Sequence, residues 1–172
     1  MTIGLRPALQ PGVRVPDLEL PDQNGSIRRL SELVAGDPTL LVFSRGWWCP
    51  KEQTFFRGLV RLQEELEVGY ARFVTVSVDP PEVQAAFRAG LGARWTFLSD
   101  AERTYLDALE LREVADTLHD PYLPACATLR PDLTVHRGYN GYYFWGRPTL
   151  EEIRADFRAI TAEVRADFEP PR

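Results

Sequence analysis

Cys49 is the residue of this chain whose setting points most clearly to chemistry. It lies between an apolar run at residues 40–43, typical of a buried strand, and a helix-like stretch that begins at Pro50. Proline is favoured at the first position of a helix because the N–H that it lacks would have no partner there. The sulfur is therefore predicted at the positive end of a helix dipole, which favours the nucleophilic thiolate. A redox protein would place a reactive thiol in such a setting.

The histidines are weaker candidates for chemistry. His119 and His136 are the two histidines of the chain, and with Cys49 and Cys126 they supply enough ligand atoms for a metal ion. Their spacing fits no compact zinc motif such as paired Cys-x-x-Cys, so we expect structural or surface roles and no metal site. Because His119 precedes the loop that leads to Cys126, it could instead line the mouth of a pocket.

Composition and charge exclude several functions. The chain has 172 residues, a formal net charge of −5 and no basic run, which argues against a general nucleic-acid binder. No stretch approaches the roughly 20 apolar residues that span a membrane. The first residues form no long apolar segment, so we expect no secretory signal and no membrane partner.

The expected compartment is the cytoplasm, which is reducing. Its thiols are more often free, transient or catalytic than part of a permanent cross-link, although a free cysteine can also be an inert core residue. The sequence shows no Gly-rich phosphate loop, no Ser-His-Asp order and no flavin fingerprint, so no cofactor is expected.

The elements that would position Cys49 alternate between strand-like and helix-like patterns. Strands are predicted at residues 15–20, 39–44, 72–78, 95–98, 126–129 and 134–137. Helices are predicted at residues 31–34, 50–67, 79–89 and 101–111 and from residue 149 onward. Strand-helix-strand units favour parallel pairing, whereas the last two strands form an antiparallel hairpin.

These patterns together predict an α/β protein with a thioredoxin-like fold, in which a central mixed sheet is flanked by helices. We expect one domain over residues 1–172, with residues 1–12 as a loose lead-in. Two helix starts, Asp79 with Glu82 and Thr149 with Glu152, match the capping-box pattern, and Ser31 is a candidate cap for the short helix through residue 34.

Several short motifs, in this order and spacing, resemble the peroxiredoxin superfamily. They are Gly-x-x-x-Pro-Asp-Leu-x-Leu-x-Asp-x-x-Gly at 12–25, Val-Ser-Val-Asp-Pro at 76–80 and Phe-Leu-Ser-Asp at 97–100. The segment Arg-Gly-Trp-Trp-Cys-Pro at 45–50 is similar to the active-site loop of a bacterial branch of that family. The resemblance runs from about Gly12 to the last helix.

The resemblance implies roles for four residues of the 45–50 segment. Cys49 would attack a small peroxide and become a sulfenic acid, which a second thiol converts to a disulfide and an external thiol reductant restores. Arg45 would supply positive charge to the peroxide oxygens. The rings of Trp47 and Trp48 would wall the substrate pocket.

The chain departs from the family pattern at three positions. Typical members have threonine where this chain has Gly46 and proline where it has Val42. The threonine hydroxyl normally contacts the peroxide. The bacterial branch has a second thiol where this chain has Glu52, and a carboxylate there would oppose a nearby thiolate.

Cys126 could replace the missing thiol. The resemblance places it in the loop where thioredoxin-like folds carry a cis-proline and peroxiredoxins often carry an arginine, with Pro124 two residues upstream. One interpretation is a reversible disulfide with Cys49, which requires Cα atoms within about 7 Å. The other is a small buried side chain at the start of a strand.

An aromatic segment at residues 138–147 also has two interpretations. Exposed rings would form a substrate or partner surface, and a homodimer built through them is a secondary hypothesis. Rings flanking an Asn-Gly turn could instead close an edge of the core.

The leading functional hypothesis is a thiol-dependent oxidoreductase of the peroxiredoxin type, acting on a small peroxide through Cys49. The first alternative is a disulfide reductase or redox sensor without fast peroxidase activity, which the glycine at position 46 favours. The second is a non-enzymatic binding module on the same fold, which Glu52 in place of a thiol favours.

Overall fold

The strands and helices follow the predicted order. A computed structural model describes residues 4–141, 146–165 and 167. Its strands are β1 (Glu19–Pro21), β2 (Ile27–Arg29), β3 (Thr39–Phe43), β4 (Arg72–Ser77), β5 (Thr96–Ser99), β6 (Ala125–Leu129) and β7 (Val135–Asn140). Its α-helices are α1 (Leu30–Val34), α2 (Pro50–Val68), α3 (Pro81–Leu91), α4 (Thr104–Ala108) and α5 (Leu150–Val164), after a 3₁₀ turn at Pro7–Leu9.

The central sheet is mixed, as predicted. Its strand order is β5-β4-β3-β6-β7. The strands β3, β4 and β5 run parallel to one another, while β6 is antiparallel to both β3 and β7. The predicted strand at 15–20 shortens to β1, which pairs with β2 in a separate two-stranded sheet.

Alternation along the central strands divides the core into two layers, because successive side chains point to opposite faces. On β3, Leu41 and Phe43 belong to one buried cluster and Leu40 and Val42 to the other. The second cluster also contains the buried faces of α2 and α5, which consist of Phe56, Leu59, Leu62, Leu66, Ile153, Phe157 and Ile160. Val164, the last residue of α5, is exposed.

The β3–α2 connection places Cys49 beside the start of β6. All residues of β3 are buried, and a short loop then leads to Pro50, the first residue of α2. In the antiparallel register, Val42 pairs with Cys126 and Phe43 with Ala125. The end of β3, the start of α2 and the start of β6 therefore meet at one edge of the sheet.

The capping predictions had different outcomes. The Thr149 side chain accepts from the Glu152 N–H and Glu152 reaches back, so the predicted capping box of α5 is confirmed. The capping box predicted at Asp79 is wrong, because α3 begins two residues later, where Pro81 presets the first helical turn. The prediction for Ser31 is also wrong, because Ser31 lies inside α1 and bonds to Asp17.

The predicted helix at 101–111 is shorter than expected. Only α4, from Thr104 to Ala108, is helical there. Glu110, just beyond it, has a φ of 55°, which takes the chain out of helical geometry. The residues between α4 and β6 therefore form a long segment without regular secondary structure.

The lead-in predicted as loose is packed where it is described. Leu9 is buried, and the Gly12 N–H donates to the Val135 carbonyl at 2.8 Å. Gly138 on β7 leaves no room for a Cβ, because the Leu9 carbonyl lies against it. Residues 4–12 thus extend the core over β7 rather than trail from it.

Two further expectations concern the surface. None of the helices in the described part of the chain is long and apolar enough to cross a lipid bilayer. The aromatic rings at residues 142–145 lie outside the described residues, so both interpretations of that segment stay predictions.

Candidate active site

Cys49 occupies the N-cap position of α2, as the sequence predicted. Its backbone is extended, with φ −81° and ψ 117°, and its carbonyl accepts from the Gln53 N–H at 3.1 Å. The residue is only 3% exposed, yet it borders a pocket of about 380 Å³ that opens to solvent. The sulfur-bearing residue is therefore shielded but not sealed beneath packed side chains.

The pocket joins two parts of the chain that are distant in sequence. One wall consists of Arg45, Trp48, Cys49 and Pro50, and the other of residues 115–119. The structure thus brings three of the predicted site residues together: Arg45, Trp48 and Cys49. Cys126, the fourth, is not among the described residues that line this pocket.

Trp47 does not wall this pocket, contrary to the expectation for it. Its ring is half exposed and borders a separate surface hollow with Val83 and Phe87 of α3. Its backbone N–H lies 3.4 Å from a carboxylate oxygen of Asp79. Trp47 and Trp48 lie in a turn in which the Cys49 N–H donates to the Gly46 carbonyl at 3.3 Å, and the Trp48 ring lines the pocket while the Trp47 ring does not.

Arg45 is held by an ion pair beneath the pocket surface. Its side chain is 3% exposed, and Nη2 donates to a carboxylate oxygen of Asp116 at 2.8 Å. The guanidinium carbon also lies 5.2 Å from the centre of the Trp48 ring, within the range of a cation–π interaction. These contacts fix a permanent positive charge in the wall that Cys49 shares.

Trp48 explains why position 46 is glycine. Gly46 has a φ of +137°, which side-chain-bearing residues rarely adopt. A Cβ there would lie 2.5 Å from Nε1 of Trp48. The indole therefore fills the space that the side chain of a threonine at position 46 would need.

His119 lines the same pocket, which confirms the expectation that it could lie at the pocket mouth. Its ring stacks on Trp48 with 3.7 Å between centroids and 12° between planes. Its Nδ1 lies 3.0 and 3.1 Å from the two carboxylate oxygens of Asp116. Asp116 was missed in the sequence, where no local pattern marks it.

Asp116 is the shared partner of Arg45 and His119. Burial alone would raise the pKa of this carboxyl group. Hydrogen bonds from the His119 backbone and ring, together with the charges of His119 and Arg45, nevertheless hold its pKa below the ordinary value. The carboxylate is therefore ionised at neutral pH and acts as an acceptor for both neighbours.

Glu52 forms a buried ion pair with Arg147. Glu52 is 1% exposed, and Nε of Arg147 donates to its Oε1 at 3.1 Å. The same guanidinium donates to the carbonyls of Phe43 and Ala125, each at 2.8 Å. The negative charge at position 52 is thus compensated by Arg147, a residue that no sequence pattern singled out.

Cys126 lies on the inner side of this ion pair. It is fully buried, and Nη1 of Arg147 lies 3.2 Å from its sulfur. Burial raises the pKa of the Cys126 thiol to about 11, although the charge and hydrogen bond of Arg147 partly oppose this. Both cysteines are free thiols, so the disulfide between them stays a prediction.

The described residues contain no cluster of three or more histidine, cysteine, aspartate or glutamate side chains suited to a metal ion. The charged and proton-exchanging side chains that line the pocket are Cys49, Arg45, Asp116 and His119.

Comparison with known proteins identifies relatives of this architecture. A sequence profile of the AhpC/TSA family matches residues 11–136. Two proteins named as peroxiredoxins, from two strains of Mycobacterium tuberculosis, are 39% identical over 99 residues, which is 56% of this chain and 62% of each relative. The match therefore spans less than two thirds of the length of these curated relatives.

Solved structures share the fold over nearly the whole chain. The peroxidoxin BcpB of M. tuberculosis superposes with a TM-score of 0.72 at 25% identity, covering 94% of this chain and 99% of that one. The AhpC of M. tuberculosis gives a TM-score of 0.77 at 16% identity, covering 91% and 96%. Reduced Prx3 of Vibrio vulnificus in complex with H₂O₂ gives 0.75 at 19% identity, covering 86% and 98%. The predicted thioredoxin-like fold is confirmed.

Proposed function

The chain belongs to the AhpC/TSA family, and from this premise we propose that it is a thiol-dependent peroxidase whose nucleophile is Cys49. One observation carries the proposal. Cys49 stands at the N-terminus of α2 and borders a solvent-open pocket whose wall also holds the buried cation Arg45.

The proposed reaction oxidises the sulfur and reduces the peroxide. The Cys49 thiolate attacks one peroxide oxygen, so that an S–O bond forms while the O–O bond breaks. The sulfur becomes a sulfenic acid and the second oxygen leaves as water or an alcohol. The positive end of α2 and the charge of Arg45 would stabilise the negative charge that passes from sulfur to the leaving oxygen.

The pocket suits a small substrate. At about 380 Å³ it lies near the lower end of the range for small-molecule sites, and it combines the apolar surfaces of Trp48, Pro50 and Leu118 with the charges of Arg45 and Asp116. We therefore assign substrate binding to Arg45 and Trp48, with a small hydroperoxide as the substrate.

The sulfenic acid then needs a second thiol, and two sources are available. Cys126 would have to move, because it is fully buried behind Arg147 and its raised pKa keeps it a thiol at neutral pH. An external thiol can reach Cys49 through the open pocket. Because Cys49 can be reached from solvent and Cys126 is buried, we favour the external thiol as the resolving group and keep Cys126 as the alternative.

A thiol count decides between the two routes. The protein is treated with one equivalent of hydrogen peroxide without reductant, and free thiols are counted in the wild type and in Cys126→Ser. If an external thiol resolves the sulfenic acid, the wild type should lose one thiol and keep Cys126 free. Loss of both thiols in the wild type would instead establish Cys126 as the resolving residue.

The other two functional hypotheses are not favoured. The disulfide reductase and the binding module were suggested by Gly46 and Glu52. Trp48 fills the space beside Gly46, and Arg147 compensates the charge of Glu52. Neither Gly46 nor Glu52 is therefore an argument against a reactive thiol at position 49. Membership of the AhpC/TSA family supports the peroxidase.

Stopped-flow kinetics test the proposed function. Hydrogen peroxide is mixed with the reduced wild type, and the change in tryptophan fluorescence is followed, since Trp48 lines the pocket. We expect a peroxide-dependent phase that is absent in Cys49→Ser and retained in Cys126→Ser, the matched control at the other cysteine. A phase that survives Cys49→Ser would remove Cys49 from the reaction.

The proposal includes a cytoplasmic location and an external thiol as the physiological reductant. A reducing compartment would supply such a reductant and return Cys49 to the thiol between turnovers.

A further inference from the structure

The Cys49 reaction has a requirement that neither the thiolate nor Arg45 can meet. When the O–O bond breaks, the departing oxygen carries negative charge and needs a proton to leave as water or an alcohol. Arg45 can stabilise that charge, but a guanidinium does not give up its proton in a protein. Gly46 has no side chain that could supply a proton.

The described lining of the pocket offers few groups that exchange protons near neutral pH. Asp116 is ionised and already accepts hydrogen bonds from Arg45 and His119, so it has no proton to give. The hydroxyl of Thr117 can relay a proton but cannot store one. His119 is the remaining candidate, since imidazole is the side chain that changes protonation in the physiological range.

The geometry of His119 is that of an oriented base. Because a carboxylate only accepts hydrogen bonds, the proximity of Asp116 to Nδ1 places the ring proton there and leaves Nε2 with the lone pair. The stack on Trp48 holds the plane of the ring. The side chain is 36% exposed, so it is reachable from the pocket and from solvent.

We propose that His119 is a catalytic acid–base residue that takes the proton of the Cys49 thiol and delivers it to the departing oxygen. This inference rests on the proposed peroxidase function. The proton balance closes within the site: Cys49–SH and His119 give a thiolate and an imidazolium, the thiolate takes one oxygen from ROOH, and the imidazolium protonates RO⁻. The products are Cys49–SOH, ROH and neutral His119, and no further reactant is needed.

Charged groups of both signs face the His119 ring. Asp116 contacts it directly, and Asp79 approaches it from the connection between β4 and α3. Arg45 acts in the opposite direction from behind Asp116, and Arg103 donates to the His119 backbone carbonyl at 3.2 Å. The Cys49 thiolate itself adds negative charge to the same pocket.

The test compares two oxidants that differ in the basicity of the leaving group. An alkyl hydroperoxide expels an alkoxide, a strong base that needs a proton. A peroxycarboxylic acid expels a carboxylate, which needs none. In His119→Gln we expect the single-turnover rate of Cys49 oxidation to fall about a hundredfold further with tert-butyl hydroperoxide than with peracetic acid, because with peracetic acid only the removal of the thiol proton is affected.

The matched control is His136→Gln. His136 also has carboxylate neighbours, Asp156 at 3.9 Å and Glu163 at 4.0 Å, but it lies on β7 away from the pocket. This variant should react like the wild type with both oxidants. In addition, the alkaline fall of the tert-butyl hydroperoxide rate should disappear in His119→Gln, because that fall reports loss of the imidazolium proton.

The possible failures are distinguishable. Equal losses with both oxidants in His119→Gln, or an unchanged rate with tert-butyl hydroperoxide, would overturn the role of His119 while leaving the peroxidase intact. A wild type that reacts with neither oxidant through Cys49 would overturn the proposed function itself, and the inference with it.

Discussion

At the scale of single residues, Gly46 shows how a departure from a family pattern can be structural. Its φ of +137° and the nearness of the Trp48 indole both exclude a side chain. The loop that carries Cys49 therefore has no side chain at position 46 and a ring at position 48, and that ring stacks on His119.

A substitution at Gly46 separates these two constraints. We expect Gly46→Ala to lower the free energy of unfolding by about 1–2 kcal/mol from backbone strain and a further 1–3 kcal/mol, roughly, from the collision with Trp48. Gly12→Ala is the matched control, because Gly12 has a φ of 88° and a Cβ at that position would meet nothing within 4 Å. If urea unfolding gives the same loss of free energy of unfolding for Gly46→Ala and Gly12→Ala, Trp48 does not restrict position 46.

The burial of Cys126 makes a prediction about pH. Its thiol pKa is raised from 9.0 to about 11, so the unfolded chain ionises there before the folded one does. The folded state holds its proton more tightly, and the stability that this contributes is present below pH 9 and lost as the pH rises towards 11. The free energy of unfolding, measured with urea, should therefore fall between pH 9 and 11 more in the wild type than in Cys126→Ala. If the two proteins show the same dependence of this free energy on pH, the raised pKa of Cys126 is refuted.

At the scale of elements, the Glu52–Arg147 pair ties the start of α2 to the residues that precede α5. Arg147 also donates to the last residue of β3 and the first of β6. One guanidinium thus fixes the corner of the sheet at which Cys49 is placed.

Removing one partner of this pair should be costly. Arg147→Met is expected to lower the free energy of unfolding by about 3–5 kcal/mol, because Glu52 is left charged and buried, whereas Glu52→Gln with Arg147→Met should recover most of the loss. The exposed pair of Arg154 and Glu65 provides the contrast. Arg154→Met should cost no more than about 1 kcal/mol. A similar cost for both single variants in urea unfolding would contradict the buried role.

The elements that could be predicted from the sequence are those with a local signature. The apolar run of β3 and Pro50 placed Cys49 at a helix start, and Thr149 with Glu152 marked the start of α5. The Asp79 pattern failed because the two prolines after it set the helix start themselves.

The long-range contacts around Cys49 have no such signature. Arg45 and Asp116 are 71 residues apart, and Glu52 and Arg147 are 95 apart. Asp116 lies in an irregular segment whose path depends on the packing around it rather than on any periodic pattern. Tertiary structure alone could show that these side chains meet.

At the scale of the whole molecule, the homodimer hypothesis depends on the aromatic rings at residues 142–145, which lie outside the described residues. If Tyr142 and Phe144 form an interface, Tyr142→Ala/Phe144→Ala should sediment at half the mass of the wild type. An unchanged mass in sedimentation equilibrium would count against dimerisation through these rings.

The whole fold serves one purpose in this account: it presents the sulfur of Cys49, shielded on most sides, to a small open pocket. The most direct test is to treat the reduced protein with one equivalent of hydrogen peroxide in the presence of a sulfenic-acid trap and to locate the adduct by peptide mass spectrometry. The account predicts the adduct at Cys49, with Cys126 unmodified. An untouched Cys49, or an adduct that forms first at Cys126, would contradict it.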